Sequence, residues 1–157
     1  MLGTLAKWLR ILGYDTQFDT SLSDDQLVRL ARAQDRVLLT RDQELAQRRG
    51  LDIVFVTSER LDDQIIQVLK ELELEPNRSF SRCPVCNELL TEMDREKALL
   101  RVPAYVAQTH ETFKSCPACQ RIYWRGTHWR RMEDQLVRIL DKNLPSAAVR
   151  RSEDNSN

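Results

Sequence analysis

No run of 18 consecutive apolar residues occurs in this 157-residue chain, so no bilayer span is expected. The opening stretch, Met1-Leu2-Gly3-Thr4-Leu5-Ala6-Lys7-Trp8-Leu9-Arg10, is too polar for the core of a secretory signal. Neither sign of charge is in excess, with 24 basic and 24 acidic residues. Cysteine is scarce, at four residues, and no internal repeat exists beyond the motif those cysteines form. Together these absences exclude a membrane partner and a secreted, disulfide-framed design, and they set a cytoplasmic protein as the expectation. Acidic residues are also missing locally: none lies between Glu111 and Glu133.

The zero net charge conceals a tilt. Residues 1–80 carry 11 Lys/Arg and 14 Asp/Glu, a net of −3, whereas residues 81–157 carry 13 and 10, a net of +3. An acidic half therefore precedes a basic half, which hints at a phosphate-containing partner for the second.

The four cysteines form two Cys-x-x-Cys pairs, Cys83-Pro84-Val85-Cys86 and Cys116-Pro117-Ala118-Cys119, with 29 residues between them. A thiolate pair at this spacing wraps one side of a tetrahedral ion, and two pairs close the coordination sphere, as in a structural zinc site. Two disulfides or unliganded thiols are the alternatives. A redox centre needs one pair only, usually at the start of a helix.

Ahead of the cysteines the pattern alternates. Leu2, Leu5, Trp8, Leu9 and Leu12 recur at helical spacing and Gly13 is a stop signal. Tyr14 to Phe18 is predicted as a short strand. Ser23-Asp24-Asp25-Gln26 is a capping box opening a helix with Leu27, Leu30 and Ala31 on one face. Val37-Leu38-Leu39 is a buried strand, Asp42–Arg49 a short helix ended by Gly50, Ile53–Val56 the clearest strand, and Asp62–Leu74 a helix with Ile65, Ile66, Leu69 and Leu72 inward. Such alternation predicts a parallel sheet covered by helices. Glu75-Pro76-Asn77-Arg78-Ser79 is a linker. Met132, Leu136, Ile139 and Leu140 mark a last helix, able to dock back on the core, and residues 151–157 have nothing to bury.

Functional groups of an open parallel sheet gather beyond the carboxyl ends of its strands. Asp42 follows the Val37–Leu39 run there, and Asp24 opens the helix after Tyr14–Phe18. Converging carboxylates make an oxygen site for Mg²⁺ or Mn²⁺, and such an ion assists phosphodiester hydrolysis. Ordinary structural roles compete: Asp24 as a first-turn acid and Asp42 as an N-cap. Thr40 and Arg41 add a hydroxyl and a cation beside Asp42. Asp62 and Asp63 are read as helix-start acids, and Asp15 and Asp19 are ambiguous. The acid-free stretch holds Lys114, Arg121, Arg125, Arg130 and Arg131 among Tyr123, Trp124, His128 and Trp129. Interleaved cations and aromatics suit single-stranded nucleic acid. Packing of Tyr123 and one Trp into a small metal-organised core is the alternative. His110 and His128 are read as surface residues rather than zinc ligands.

Four segments in this order, Leu2–Asp15 (LGTLAKWLRILGYD), Leu38–Asp42 (LLTRD), Cys83–Asn87 (CPVCN) and Cys116–Cys119 with Arg121–His128 (RIYWRGTH), closely resemble one family, over roughly residues 1–140. It is the mutator-seven C-terminal ribonuclease domain, a PIN-like nuclease fold with an appended zinc ribbon. The resemblance implies a metal-dependent ribonuclease with clustered acids at the strand ends and a ribbon that helps position RNA. The family opens with a strand ending in Asp just before the Met-Leu-Gly at which this sequence begins. Either that Met is internal to a longer chain, or the form is shortened and its acid set incomplete.

The expected fold is therefore α/β: a PIN-like parallel sheet flanked by helices and lacking its N-terminal strand (1–76), a zinc ribbon (80–127), a closing helix (128–142) and a disordered tail (143–157). Asp24 and Asp42 are the expected ligands of Mg²⁺ or Mn²⁺, supported by Thr40 and Arg41. Cys83, Cys86, Cys116 and Cys119 are the expected zinc ligands. Arg121, Trp124, Arg125, His128 and Arg130 are the expected contacts to single-stranded RNA. A non-catalytic RNA-binding or adaptor protein working through its ribbon is the second reading, and a protein-interaction ribbon on an inert scaffold is the third.

Overall fold

The computed structural model describes residues 2–75 and 80–143, with side chains to residue 141. Of the expected linker (75–79), residues 76–79 lie outside the described residues, as does the expected tail (143–157) beyond Asn143, which is still helical. The chain divides into two units, Met1–Asn87 and Glu88–Asn157. That division falls after Asn87, so the first cysteine pair belongs to the first unit, whereas the sequence suggests a module that starts near residue 80. Among the described residues no helix is long and apolar enough to cross a membrane.

The first unit opens with helix α1 (Leu2–Ile11), which buries Leu5, Ala6, Trp8, Leu9 and Ile11. Gly13 ends it at φ +92°, a left-handed conformation open to a residue without Cβ, and the Tyr14 amide closes the last turn on the Leu9 carbonyl. Helix α2 (Asp24–Ala33) starts with the predicted capping box: Ser23 Oγ accepts from the Gln26 amide and Gln26 Oε1 from the Ser23 amide. Strands β1 (Leu38–Thr40) and β2 (Ile53–Phe55) pair in parallel, with Leu39 opposite Val54. The short helix α3 (Gln43–Ala46) connects them and lies against both. Helix α4 (Leu61–Glu71) packs on α1 and buries Ile65, Ile66, Val68 and Leu69.

The expected three-stranded parallel sheet is corrected to two strands among the described residues, because Tyr14–Phe18 is irregular. Its backbone groups are taken by side chains instead of a ladder. The Thr16 carbonyl accepts from Arg10 Nε at 2.7 Å, and the Thr16 amide donates to Asn87 Oδ1 at 3.0 Å. A segment whose amides and carbonyls are already satisfied has no drive to join a sheet edge.

The second unit holds an antiparallel sheet, β3 (Thr91–Met93), β4 (Phe113–Ser115) and β5 (Ile122–Trp124), in that order. Helices α5 (Arg95–Leu99) and α6 (Ala104–Thr109) fill the β3–β4 connection. Neither was legible in the sequence, since five or six residues are too few to display a helical period. The register sets Met93, Phe113 and Trp124 side by side in one row and Glu92, Lys114 and Tyr123 in the next. Successive residues of a strand face opposite ways. The first row packs with Ile122 against a core of Ala98, Val106 and Phe113. Helix α7 (Thr127–Asn143) matches the predicted closing helix and buries Trp129, Leu136, Ile139 and Leu140.

Candidate functional site

The four cysteine Sγ atoms lie within 4.8 Å of one another. A tetrahedral ion with Zn–S bonds near 2.3 Å demands sulfur–sulfur separations of about 3.8 Å, so the set is compatible with such an ion. Four soft thiolates and no open position suit a structural metal such as zinc. Cys83 and Cys116 are fully buried, Cys119 is half-buried and Cys86 is exposed. Among the described residues this is the one group of three or more His, Cys, Asp or Glu side chains close enough to hold an ion. Neither His110 nor His128 belongs to it.

Both Cys-x-x-Cys pairs adopt the same turn. The amide of the residue after the second cysteine donates to the first cysteine's carbonyl at 2.9 Å, from Asn87 to Cys83 and from Gln120 to Cys116. That residue is left-handed in each case, with φ +71° at Asn87 and +64° at Gln120. Such a turn folds the two thiols of a pair toward one point. In the second pair the Cys119 amide also donates to Cys116 Sγ at 3.4 Å.

The supports of the two turns differ. The second continues the β4–β5 ladder, with the Cys116 amide on the Arg121 carbonyl at 2.9 Å, and Arg101 donates to the Gln120 carbonyl at 2.8 Å. The first is held by α1: Arg10 Nη1 donates to the carbonyls of Pro84 at 3.1 Å and Val85 at 3.0 Å. Asn87 adds a bond to Asp15 Oδ1 at 2.6 Å, and Asp15 Oδ2 pairs with Arg36 at 2.7 Å. The Arg36 hydrogen bond, with help from Asn87, holds the Asp15 carboxyl below the ordinary carboxylate range. Burial pulls the Arg10 guanidinium below its usual value, while Cys83, Cys86 and Asp15 act in the opposite direction.

Asp42 lies two residues beyond the carboxyl end of β1. Thr40 ends β1, buried, and its Oγ1 accepts from the Asp42 amide at 3.0 Å. This turn aims the Asp42 carboxylate at α3, where Oδ1 accepts from the Leu45 amide at 2.8 Å as an N-cap. Asp42 is exposed, and its Oδ2 has no hydrogen bond among the described residues. Arg41 reaches Glu59 in the loop after β2 at 3.3 Å, tying the two strand-end loops together. Asp24 is exposed in the first turn of α2. Its neighbour Asp25 pairs with Arg48 at 3.0 Å, which brings the start of α2 to the residues just after α3. Helix α3 is four residues long, a span of about 6 Å, with Asp42 at its other end. Asp63 bonds Ser58 Oγ at 2.9 Å, and Asp19 Oδ1 holds the Ser21 turn; both have local structural work.

In the second unit Arg121, Arg125, His128 and Arg130 are exposed. Trp124 is half-buried against the Ala98, Val106 and Phe113 core. Its indole Nε1 would sit 2.9 Å from any Cβ added at Gly126, so that approach requires glycine. Tyr123 stands in the other row, beside Lys114.

Glu59 and Arg10 were missed by sequence reasoning. Glu59 was discoverable from its position, since it lies in the loop after a parallel strand, where Asp42 lies after the other. No local signal marks Arg10, whose partners are 74 and 75 residues away.

The family model described as Mut7-C RNAse domain matches residues 1–136. No curated protein and no solved structure matches the chain. Two cysteine turns converging on one point and a family match spanning most of the sequence agree in one assignment: the chain belongs to the Mut7-C ribonuclease domain family.

Proposed function

We propose that this protein is a divalent-metal-dependent ribonuclease that hydrolyses phosphodiester bonds of single-stranded RNA, with structural zinc on its four cysteines. The family match over residues 1–136 carries the ribonuclease reading. Asp42 and Asp24 are the proposed ligands of Mg²⁺ or Mn²⁺. Mg²⁺ is ordinarily held by one or two carboxylates, waters and substrate phosphates, so a cage of three acids is not needed. An ion there would neutralise charge on the scissile phosphate and acidify an attacking water. Thr40 orients Asp42 through the amide bond, and Arg41, braced by Glu59, supports the same edge. Arg121, Arg125, His128 and Arg130 supply cations for the RNA backbone. Tyr123, in the row of Lys114, is a better stacking residue than the core-packed Trp124. We place the protein in the cytoplasm, the compartment in which paired cysteines serve metal ions more often than disulfides.

The test is cleavage of a single-stranded RNA oligonucleotide in Mg²⁺ or Mn²⁺. Asp42→Asn keeps an N-cap side chain but loses the charge, and the rate is expected to fall by at least about 100-fold with zinc content unchanged. Equal cleavage by both proteins removes Asp42 from the site. A second reading, a non-catalytic RNA-binding adaptor, is favoured by the engagement of Asp42 as a cap. RNA binding that persists in EDTA-treated, zinc-loaded protein, without cleavage under any divalent ion, selects it.

A further inference from the structure

Arg10 is the one buried cation among the described residues, 6% exposed. Its hydrogen bonds go to three carbonyl oxygens, those of Thr16, Pro84 and Val85. No carboxylate lies within ion-pair distance of it among the described residues. Neutral carbonyls satisfy the N–H groups of a guanidinium but leave its charge uncompensated, and an uncompensated buried charge is costly. The first cysteine turn, whose backbone it grips, supplies the missing partner. A zinc ion with four thiolates carries a net double negative charge. Two of those thiolates, Cys83 and Cys86, flank the two carbonyls that Arg10 holds.

We propose that Arg10 is a positioning residue and built-in countercharge for the cysteine metal site. It fixes the first turn from α1 through a two-carbonyl grip, and it offsets the excess negative charge that metal loading creates. The geometry matches the guanidinium: Nη1 serves the Pro84 and Val85 carbonyls while Nε serves Thr16, a divergent fork that a lysine ammonium cannot reproduce from one point. Asn87 completes the frame by joining the same turn to Asp15 and Thr16. The first cysteine turn and the α1–α2 connection are thereby one hydrogen-bonded assembly. Loss of the ion then loosens the segment from Tyr14 to Thr16, and loss of Arg10 loosens the ion.

The proposal rests on the metal reading of the four cysteines, and the experiment separates the two. Zinc-loaded full-length protein is mixed with a chromogenic chelator, and the zinc-transfer rate is followed for wild type, Arg10→Lys and Arg10→Met, with folding checked by circular dichroism. Removing an outer-shell partner typically costs 10- to 100-fold in metal affinity, so Arg10→Met is expected to release zinc about 10- to 100-fold faster. Arg10→Lys, which keeps the charge but not the fork, is expected to fall between the two. Wild type that takes up no zinc overturns both the metal reading and the proposal. Zinc bound by wild type but released equally fast by folded Arg10→Met overturns the proposal alone. Equal acceleration in Lys and Met overturns the countercharge role. Should Arg10→Met fail to fold, hydrogen exchange on wild type decides: the Thr16 amide is expected to exchange at least about tenfold faster after zinc removal, and an unchanged rate overturns the coupling.

Discussion

The two candidate sites are built in opposite ways. At the cysteine site each pair of ligands comes from one short turn, two members of the set are fully buried, and hydrogen bonds from Arg10, Asn87 and Arg101 hold the turns. At the strand edge the acids come from separate elements and stand exposed, and the best-placed of them, Asp42, already caps a helix. The contrast teaches that a structural ion needs a preformed, closed shell. A hydrolytic ion needs an open one that substrate phosphates complete. Rigidity belongs to the first site and accessibility to the second.

The largest effect expected from breaking this contrast is at a buried thiol. Cys83→Ser or Cys116→Ser should lose more than nine-tenths of bound zinc, because structural zinc contributes on the order of 10 kcal/mol to folding in small metal-organised modules. Elemental analysis and thermal melting with and without chelator check this; a variant with full zinc content breaks the four-ligand assignment. Next is the apolar core of the first unit. Ile65→Ala empties a fully buried position in α4 and should cost roughly 2–5 kcal/mol in denaturant unfolding. Zinc stoichiometry should stay unchanged in that variant, and joint loss of both would erase the distinction between the regions.

Asp42 sharpens the comparison further. Asp42→Ala removes the bond to the Leu45 amide and should destabilise by about 1 kcal/mol, whereas Asp42→Asn should cost little, since Asn caps as well as Asp. Cleavage should fall in both, so stability and activity must separate between the two variants. In RNA titrations Tyr123→Ala should weaken binding by about 1–3 kcal/mol and Trp124→Ala should instead destabilise the second unit; the reverse pattern reassigns the stacking face. The smallest effect is on acid stability. Asp15 has its folded-state pKa depressed, chiefly by Arg36. Its contribution is complete above the unfolded carboxylate value of about 3.9 and is lost as pH falls through the lower folded value. Asp15→Asn should therefore lower stability slightly at neutral pH and flatten the acid limb of the pH–stability curve, so that the two proteins converge as pH falls. Because Asp15 is partly exposed, solvent screening keeps the change small.

Legibility followed distance along the chain. The Ser23 capping box, the Gly13 stop and the two cysteine turns were all readable, because each is closed by residues within five positions of one another. The parallel pair was readable as two short apolar runs, although only Thr40 and Val54 of it are fully buried and Val37, expected in the first strand, lies outside it and exposed. The Tyr14–Phe18 prediction failed for the opposite reason. Whether an extended segment becomes a strand depends on what lies beside it, and here Arg10 and Asn87 lie beside it rather than another strand.

From the sequence alone came the family, the pairing of four cysteines at metal-ligand spacing and the order of helices in the first half, all properties of spacing and local backbone chemistry. The tertiary structure alone decided which cation stands under the first cysteine turn, that Arg41 reaches Glu59, and that Trp124 faces the core while Tyr123 shares a row with Lys114. Those pairings join residues distant along the chain or set by strand register. They are selected by burial and charge compensation, which exist only once the chain has folded.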